Sequence, residues 1–161
     1  MQESKAKILS NIKIASSLYR MVLEAPSIAN QALPGQFLHV RCSGSYEPLL
    51  RRPFSVHRIN ESSVEILYQV VGMGTEVLSQ REAGEELSIV GPLGNGFSID
   101  EAIDTAILVA GGIGIAPLVA LAERLVRSPP RIASKRQAVH SPQREESLSP
   151  HWSQDERDDL M

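Results

Sequence analysis

Three short runs in this chain carry the residue types that grip a phosphate or a planar ring. Arg52-Pro53-Phe54-Ser55 sets a guanidinium, a stiff backbone unit, a flat aromatic face and a short hydroxyl on consecutive residues. The guanidinium offers a fork of donors to phosphate oxygens, and the proline fixes φ beside it. Phe54 presents a face to a ring system and Ser55 a group that can donate or accept at a ring edge. Taken alone, the Arg51-Arg52 pair reads as solvated surface charge and a strand phenylalanine as core, so context decides.

The second run is Gly72-Met73-Gly74-Thr75-Glu76. Its glycines allow a close backbone approach, and a helix opening there presents free N–H groups and its dipole to a pyrophosphate. Thr75 adds a hydroxyl and a helix cap. A plain strand-to-helix turn fits the same residues. The third run, Ala110-Gly111-Gly112-Ile113-Gly114-Ile115-Ala116-Pro117, follows an apolar stretch and opens a helix. Small residues there let backbone N–H groups face a phosphate. Pro117 stands where the dinucleotide fingerprint G-x-G-x-x-G requires its third glycine, so a simple tight turn fits this run as well.

Other chemistries find little support. The sequence has no G-x-S-x-G elbow and no H-E-x-x-H pair. His39, His57, His140 and His151 lack metal-ligand spacing, His39 reads as a half-buried strand residue, and Glu65, Asp100, Glu101 and Asp104 read as solvated. No catalytic side chain and no metal site is therefore assigned. A formal net charge of -3 with 22% charged residues argues against nucleic-acid or anionic-membrane partners. The one cysteine, Cys42, can form no internal disulfide, the first residues lack a secretory pattern, and no run approaches the ~20 apolar residues of a spanning helix. A cytoplasmic protein is expected.

The elements that must position these runs are mostly strands. Alternating residues predict a hairpin over 6–14 and 18–23 around Ser16-Ser17, then strands at 36–41, 53–58, 64–71 and 86–90, separated by turn signals at Pro34-Gly35, Asn60–Ser63 and Ala83-Gly84. A short helix is predicted after Gly74. Six strands in about a hundred residues describe a small antiparallel barrel. The continuous apolar run Thr105–Ala110 then reads as a buried strand, and Leu118, Leu121, Ala122 and Leu125 recur at helical spacing. Periodicity ends near Arg127, and the Ser-, Pro- and charge-rich remainder reads as a disordered tail. The expected division is a barrel over 1–100, the first β-α unit of an α/β domain over 101–126 and a polar tail over 127–161. The α/β unit reads as truncated or replaced, or the tail as an ordinary extension of a complete protein.

Taken in order, Pro34-Gly35-Gln36-Phe37, Arg52-Pro53-Phe54-Ser55, Gly72–Thr75, Gly91-Pro92-Leu93-Gly94-Asn95-Gly96-Phe97 and Gly111–Leu118 resemble the ferredoxin reductase-type flavoprotein family, and within it the electron-transfer subunits of class 1B dihydroorotate dehydrogenase. The resemblance covers about residues 5–126. It implies an all-β six-stranded FAD-binding barrel followed by a nicotinamide-binding α/β domain, and an NAD(P)H-linked flavin oxidoreductase activity. It implies that Arg52, Pro53 and Ser55 hold FAD with Phe54 at the ring, that Leu67, Tyr68 and Gln69 border it, and that Gly74 and Thr75 bind its pyrophosphate. Gly111, Gly112 and Gly114 would approach the nicotinamide dinucleotide. The implied partner is a catalytic dihydroorotate dehydrogenase flavoprotein subunit in pyrimidine biosynthesis.

Two family features lack their residues in this sequence. Four cysteines for a [2Fe-2S] cluster cannot come from a chain with Cys42 alone, and the later strands that support the adenosine half of NAD(P)H have no visible counterpart. Three readings follow: an FAD-dependent electron-transfer subunit, a flavin-binding or subunit-contact module without turnover, and a non-enzymatic barrel that binds a partner through the same loops.

Overall fold

Alternation along Phe37–Val40 buries Leu38 and Val40 and leaves Phe37 and His39 half-buried, so one face of that segment is core and the other is not. The same logic runs through six strands in a computed structural model that describes residues 2–44, 48–100, 103 and 105–127. They are β1 (Gln2–Lys13), β2 (Leu18–Glu24), β3 (Phe37–Val40), β4 (Arg52–Ile59), β5 (Ser63–Gln69) and β6 (Glu86–Leu93). All neighbours are antiparallel, and the order β1-β2-β5-β4-β3-β6 closes on itself. Closure removes both free edges, so no strand is left to template association. The six-stranded antiparallel barrel expected from the sequence is what forms.

Ile8, Met21, Leu38, Val56, Ile66 and Ile89 fill its interior with no exposed surface. Each such side chain contributes about 1.5–3 kcal/mol over an exposed one. One polar group enters this interior with its partners. The Tyr68 hydroxyl donates to Asn11 Oδ1 at 3.0 Å, and Asn11 Nδ2 donates to the carbonyls of Leu78 at 3.0 Å and Arg81 at 2.9 Å. This chain of bonds fastens β5 and β1 to the end of helix α2 (Met73–Ser79).

Four features differ from the sequence reading. A one-turn helix, α1 (Pro26–Ala29), stands between β2 and β3; four residues show no periodicity, and Pro26 in its first turn was the available signal. Helix α2 begins at Met73 rather than after Gly74, with Gly72 at its cap position. Glu65 is buried rather than solvated, its Oε2 3.9 Å from Arg20 Nε.

The fourth difference is at 105–110, where no strand is formed and Ile107 and Val109 are 85% and 84% exposed. A continuous apolar run signals that both faces want cover, and no neighbouring strand among the described residues supplies it. Helix α3 (Ile115–Arg127) does form, and it packs against β4. Beyond Arg127 the expected polar tail, with His140 and His151, lies outside the described residues, as do Glu101 and Asp104.

Candidate functional site

The β4–β5 ladder runs from Ile59↔Val64 to Val56↔Ile66 and stops. Below that point β4 pairs with β3 through residues 52–55, and β5 pairs with β2 through residues 67–69. The two strands therefore part at the two segments singled out from the sequence. Backbone groups on the parted sides face each other with no ladder between them, which is where an edge-on planar ligand finds donors and acceptors.

A cleft of about 440 Å³ opens at this seam. Its floor and near wall come from Arg52, Pro53, Phe54, Ser55, Leu67, Tyr68 and Gln69, and Thr75 stands at one end. Its far wall is Ile113, Gly114, Ala116 and Pro117, carried by the turn that opens α3. Nine of the twelve residues expected at a site thus line one space. Among the other three, Gly74 reaches it through Arg52, whose side chain passes 3.1–3.7 Å from where a Gly74 Cβ would stand. Gly111 and Gly112 are exposed and do not line the cleft.

The structure separates the two arginines. Arg51 is committed to the barrel: its guanidinium donates to Ser88 O at 2.9 Å, Ser88 Oγ at 2.8 Å and Glu3 Oε1 at 2.6 Å. The Ser88 hydroxyl and the Arg51 charge together hold the Glu3 carboxyl below its usual range. Among the described residues Arg52 donates only to neighbouring backbone carbonyls, Leu50 O at 3.2 Å and Arg51 O at 3.5 Å. It is the guanidinium of the pair with donors to spare for an anion in the cleft.

Three side chains that line the cleft are also engaged within the protein itself. The Phe54 ring belongs to the barrel core, 8% exposed and edge-on to Tyr68 with centroids 5.6 Å apart, so it supports the cleft from beneath. Tyr68 is 1% exposed and stacks on Tyr19 at 5.6 Å; burial raises its phenol above the ordinary range. Thr75 sits at the third position of α2, where its hydroxyl accepts from Val71 N at 2.9 Å and Gly72 N at 3.2 Å and donates to Gly72 O at 2.8 Å. All hydrogen-bonding capacity of that hydroxyl is used in shaping the turn.

Sequence reasoning missed Val71, Ile113, Ala116 and Pro117 as lining residues. The last three lie inside a run that had been read for its glycines alone. Burial raises the Cys42 thiol, and among the described residues no group of three His, Cys, Asp or Glu side chains is arranged for a metal.

A closed six-stranded barrel parted at one seam, with a helix-borne wall opposite, is the architecture of the ferredoxin reductase-type flavoproteins, which the chain resembles in both fold and sequence. The relatives it matches by sequence are electron transfer subunits of dihydroorotate dehydrogenase B (NAD(+)). That of Desulforamulus reducens is 45% identical over 122 residues, covering 74% of this chain and 47% of its own. That of Bacillus pumilus is 41% identical over 131 residues, covering 79% and 51%. The chain spans about half the length of the curated relatives it matches.

Solved structures agree on the fold. An NADH-dependent reduced ferredoxin-NADP oxidoreductase superposes with a TM-score of 0.70 at 30% identity, over 77% of this chain and 45% of that one. Phthalate dioxygenase reductase, which transfers electrons from pyridine nucleotides to a [2Fe-2S] centre, gives 0.64 at 27% identity over 80% and 41%. No family model matches the sequence. Among the described residues no helix is long and apolar enough to cross a membrane.

Proposed function

We propose that this chain is the flavin-holding part of an electron-transfer subunit, binding FAD in the β4–β5 cleft and serving a catalytic dihydroorotate dehydrogenase subunit in cytoplasmic pyrimidine biosynthesis. The observation that carries the reading is the Arg52 guanidinium, free of acidic partners among the described residues and laid across Gly74 at a cleft of about 440 Å³.

The residues fit the cofactor. Arg52 supplies charge-assisted donors for phosphate oxygens, and Gly74 leaves room for its stem. Pro53, Ser55, Leu67 and Gln69 offer a mostly apolar floor with polar groups at two points, and Ile113, Ala116 and Pro117 cover it from the far side. When bound, FAD supplies the exchange between hydride and single-electron transfer. The protein's part is to bind, orient and exclude water, and no side chain is needed as an acid or base.

The nicotinamide side is thinner. Gly114 lines the cleft, whereas Gly111 and Gly112 do not, so among the described residues this turn is all that is offered to NAD(P)H. An iron-sulfur cluster cannot be built from Cys42 alone. That Gly111 and Gly112 stay outside the cleft favours, as a second reading, a flavin-binding or subunit-contact module without turnover of its own.

Purification followed by a visible spectrum tests the reading: oxidised-flavin absorption, or its acquisition on adding FAD, is expected. Protein that remains colourless and leaves added FAD fluorescence unquenched sinks it. Rapid reduction by NADH then separates the two readings, since a bound flavin that NADH does not reduce leaves the module alone.

A further inference from the structure

We infer that His57 is a positioning residue that sets the spacing between the two walls of the cleft, an inference that rests on the flavin reading above. Two observations meet at this residue. The first is a β-bulge: Val56 pairs with Ile66 and Arg58 with Glu65, leaving His57 as the extra residue of β4. Regular alternation would put Val56 and His57 on opposite faces, one in the core and one in solvent. Here they do lie on opposite faces, Val56 inside the barrel and His57 at 8% exposure on the outer face, where α3 covers it in place of solvent. A bulge re-aims a side chain at the cost of local pairing, and here it lets two consecutive residues, His57 and Arg58, both face α3 before Ile59 returns to the core.

The second observation is where it points. His57 Nδ1 lies 3.0 Å from the carbonyl oxygen of Ala116, 59 residues away in sequence. A carbonyl only accepts, so the proton is on Nδ1. Ala116 is itself a wall residue of the cleft, between Gly114 and Pro117. Two residues back along β4, Ser55 lies in the opposite wall. One hydrogen bond therefore fixes the height of the far wall over the near one.

The next residue adds a second strut, with Arg58 Nε 3.1 Å from Glu123 Oε1 two turns along α3. Those side chains are 40% and 30% exposed, so solvent weakens this pair. The buried His57 bond sets the position, and the ion pair limits rotation of the helix. A cleft held at a fixed width before the ligand arrives loses less order on binding.

The test uses three variants of the full chain, because amide side chains mimic one imidazole nitrogen each. In His57→Asn the amide nitrogen stands where Nδ1 was; in His57→Gln it stands where Nε2 was; His57→Leu has no donor. FAD titrations by fluorescence quenching are expected to give wild-type affinity for His57→Asn and about tenfold weaker binding for His57→Leu and His57→Gln, as loss of one buried hydrogen bond predicts. Hydrogen exchange without FAD should rise over 112–120 in the two weak variants, with the strands unchanged.

Equal FAD affinity in all four proteins, with wild type binding, overturns the inference and leaves the flavin reading standing. So does equal loss in all three variants with faster exchange in every strand, which marks a purely structural histidine. If wild type takes up no FAD, the flavin reading fails by itself. Hydrogen exchange then decides the wall-positioning role, supported by selective opening of 112–120 and overturned by its absence.

Discussion

Arg52 lies across the backbone of Gly74, so that a Cβ built on the glycine would stand 3.1 Å from Arg52 Nε and 3.3 Å from its Cγ. Two motifs separated by twenty-two positions are thereby one surface, with the glycine there because its neighbour needs the room. The backbone of Gly74 is ordinary helix, not the left-handed conformation that only glycine favours.

Gly74→Ala therefore separates affinity from stability. In a helix alanine is favoured over glycine by about 1 kcal/mol, so the melting temperature should hold or rise. Arg52 must move by a few tenths of an ångström, and FAD titration should show several-fold weaker binding. Arg52→Ala should weaken FAD further, about 10- to 100-fold for the loss of charge-assisted bonds of about 1.5–3 kcal/mol. A Gly74→Ala protein with full affinity, or an Arg52→Ala protein indistinguishable from wild type, would show that the guanidinium does not touch the ligand.

Arg51 should behave in the opposite way. Its donors are spent on Ser88 and Glu3, which join the pairing of β1 with β6 to the start of β4. Arg51→Ala is expected to cost about 1–2 kcal/mol of stability in urea unfolding, as for buried bonds from a charged donor. FAD affinity at temperatures well below the transition should be unchanged. The sequence alone could not divide an Arg-Arg pair into one member tied to the barrel and one lining the cleft, because strand alternation says only that they face opposite ways.

Much of the barrel was legible for a simple reason: alternation and turn chemistry are local. The Ser16-Ser17 hairpin and the Asn60–Ser63 turn are where Asn, Ser and broken alternation put them. What escaped depends on neighbours. The apolar run 105–110 says what it needs but not whether it has it. Glu65 alternates like a solvent-facing residue and is buried beside Arg20 of β2. The bulge at His57 leaves no mark in the sequence, since it appears only when β4 is laid against β5. At the site, residue types singled out Arg52, which lines the cleft, while the core position of Phe54 and the wall formed by Ile113 and Ala116 required the packing of α3 on β4.

The alkaline limb of stability should report Tyr68. Burial, the larger effect, raises its phenol above the ordinary value of 10.0, against a smaller lowering by the Asn11 hydrogen bond. A raised folded-state value means that this contribution is complete below the unfolded pKa near 10.0 and is lost as pH climbs above it toward the folded value. Ultraviolet titration of tyrosinate should therefore show a late step from Tyr68, together with loss of the barrel's circular dichroism. Tyr68→Phe should remove that late step. A wild-type titration with no late step and the fold intact would contradict the buried placement of Tyr68.

Thr75 offers the sharpest test of how the turn at the cleft is made. Its hydroxyl serves Val71 N, Gly72 N and Gly72 O at once, leaving no hydrogen-bonding capacity for a phosphate, so its effect on a ligand must pass through the shape of 71–74. Thr75→Val keeps the volume and strips the acceptor from two backbone N–H groups, at a cost of about 1–3 kcal/mol. Thr75→Ser keeps every hydrogen bond and gives up only a methyl, about 0.8 kcal/mol. Because Arg52 rests on Gly74, loss of the turn should also displace the guanidinium, so FAD affinity should fall in Thr75→Val and persist in Thr75→Ser. A Thr75→Val protein that keeps its melting temperature but loses FAD would instead mean that the hydroxyl contacts the ligand directly, and that the three local bonds give way when it binds.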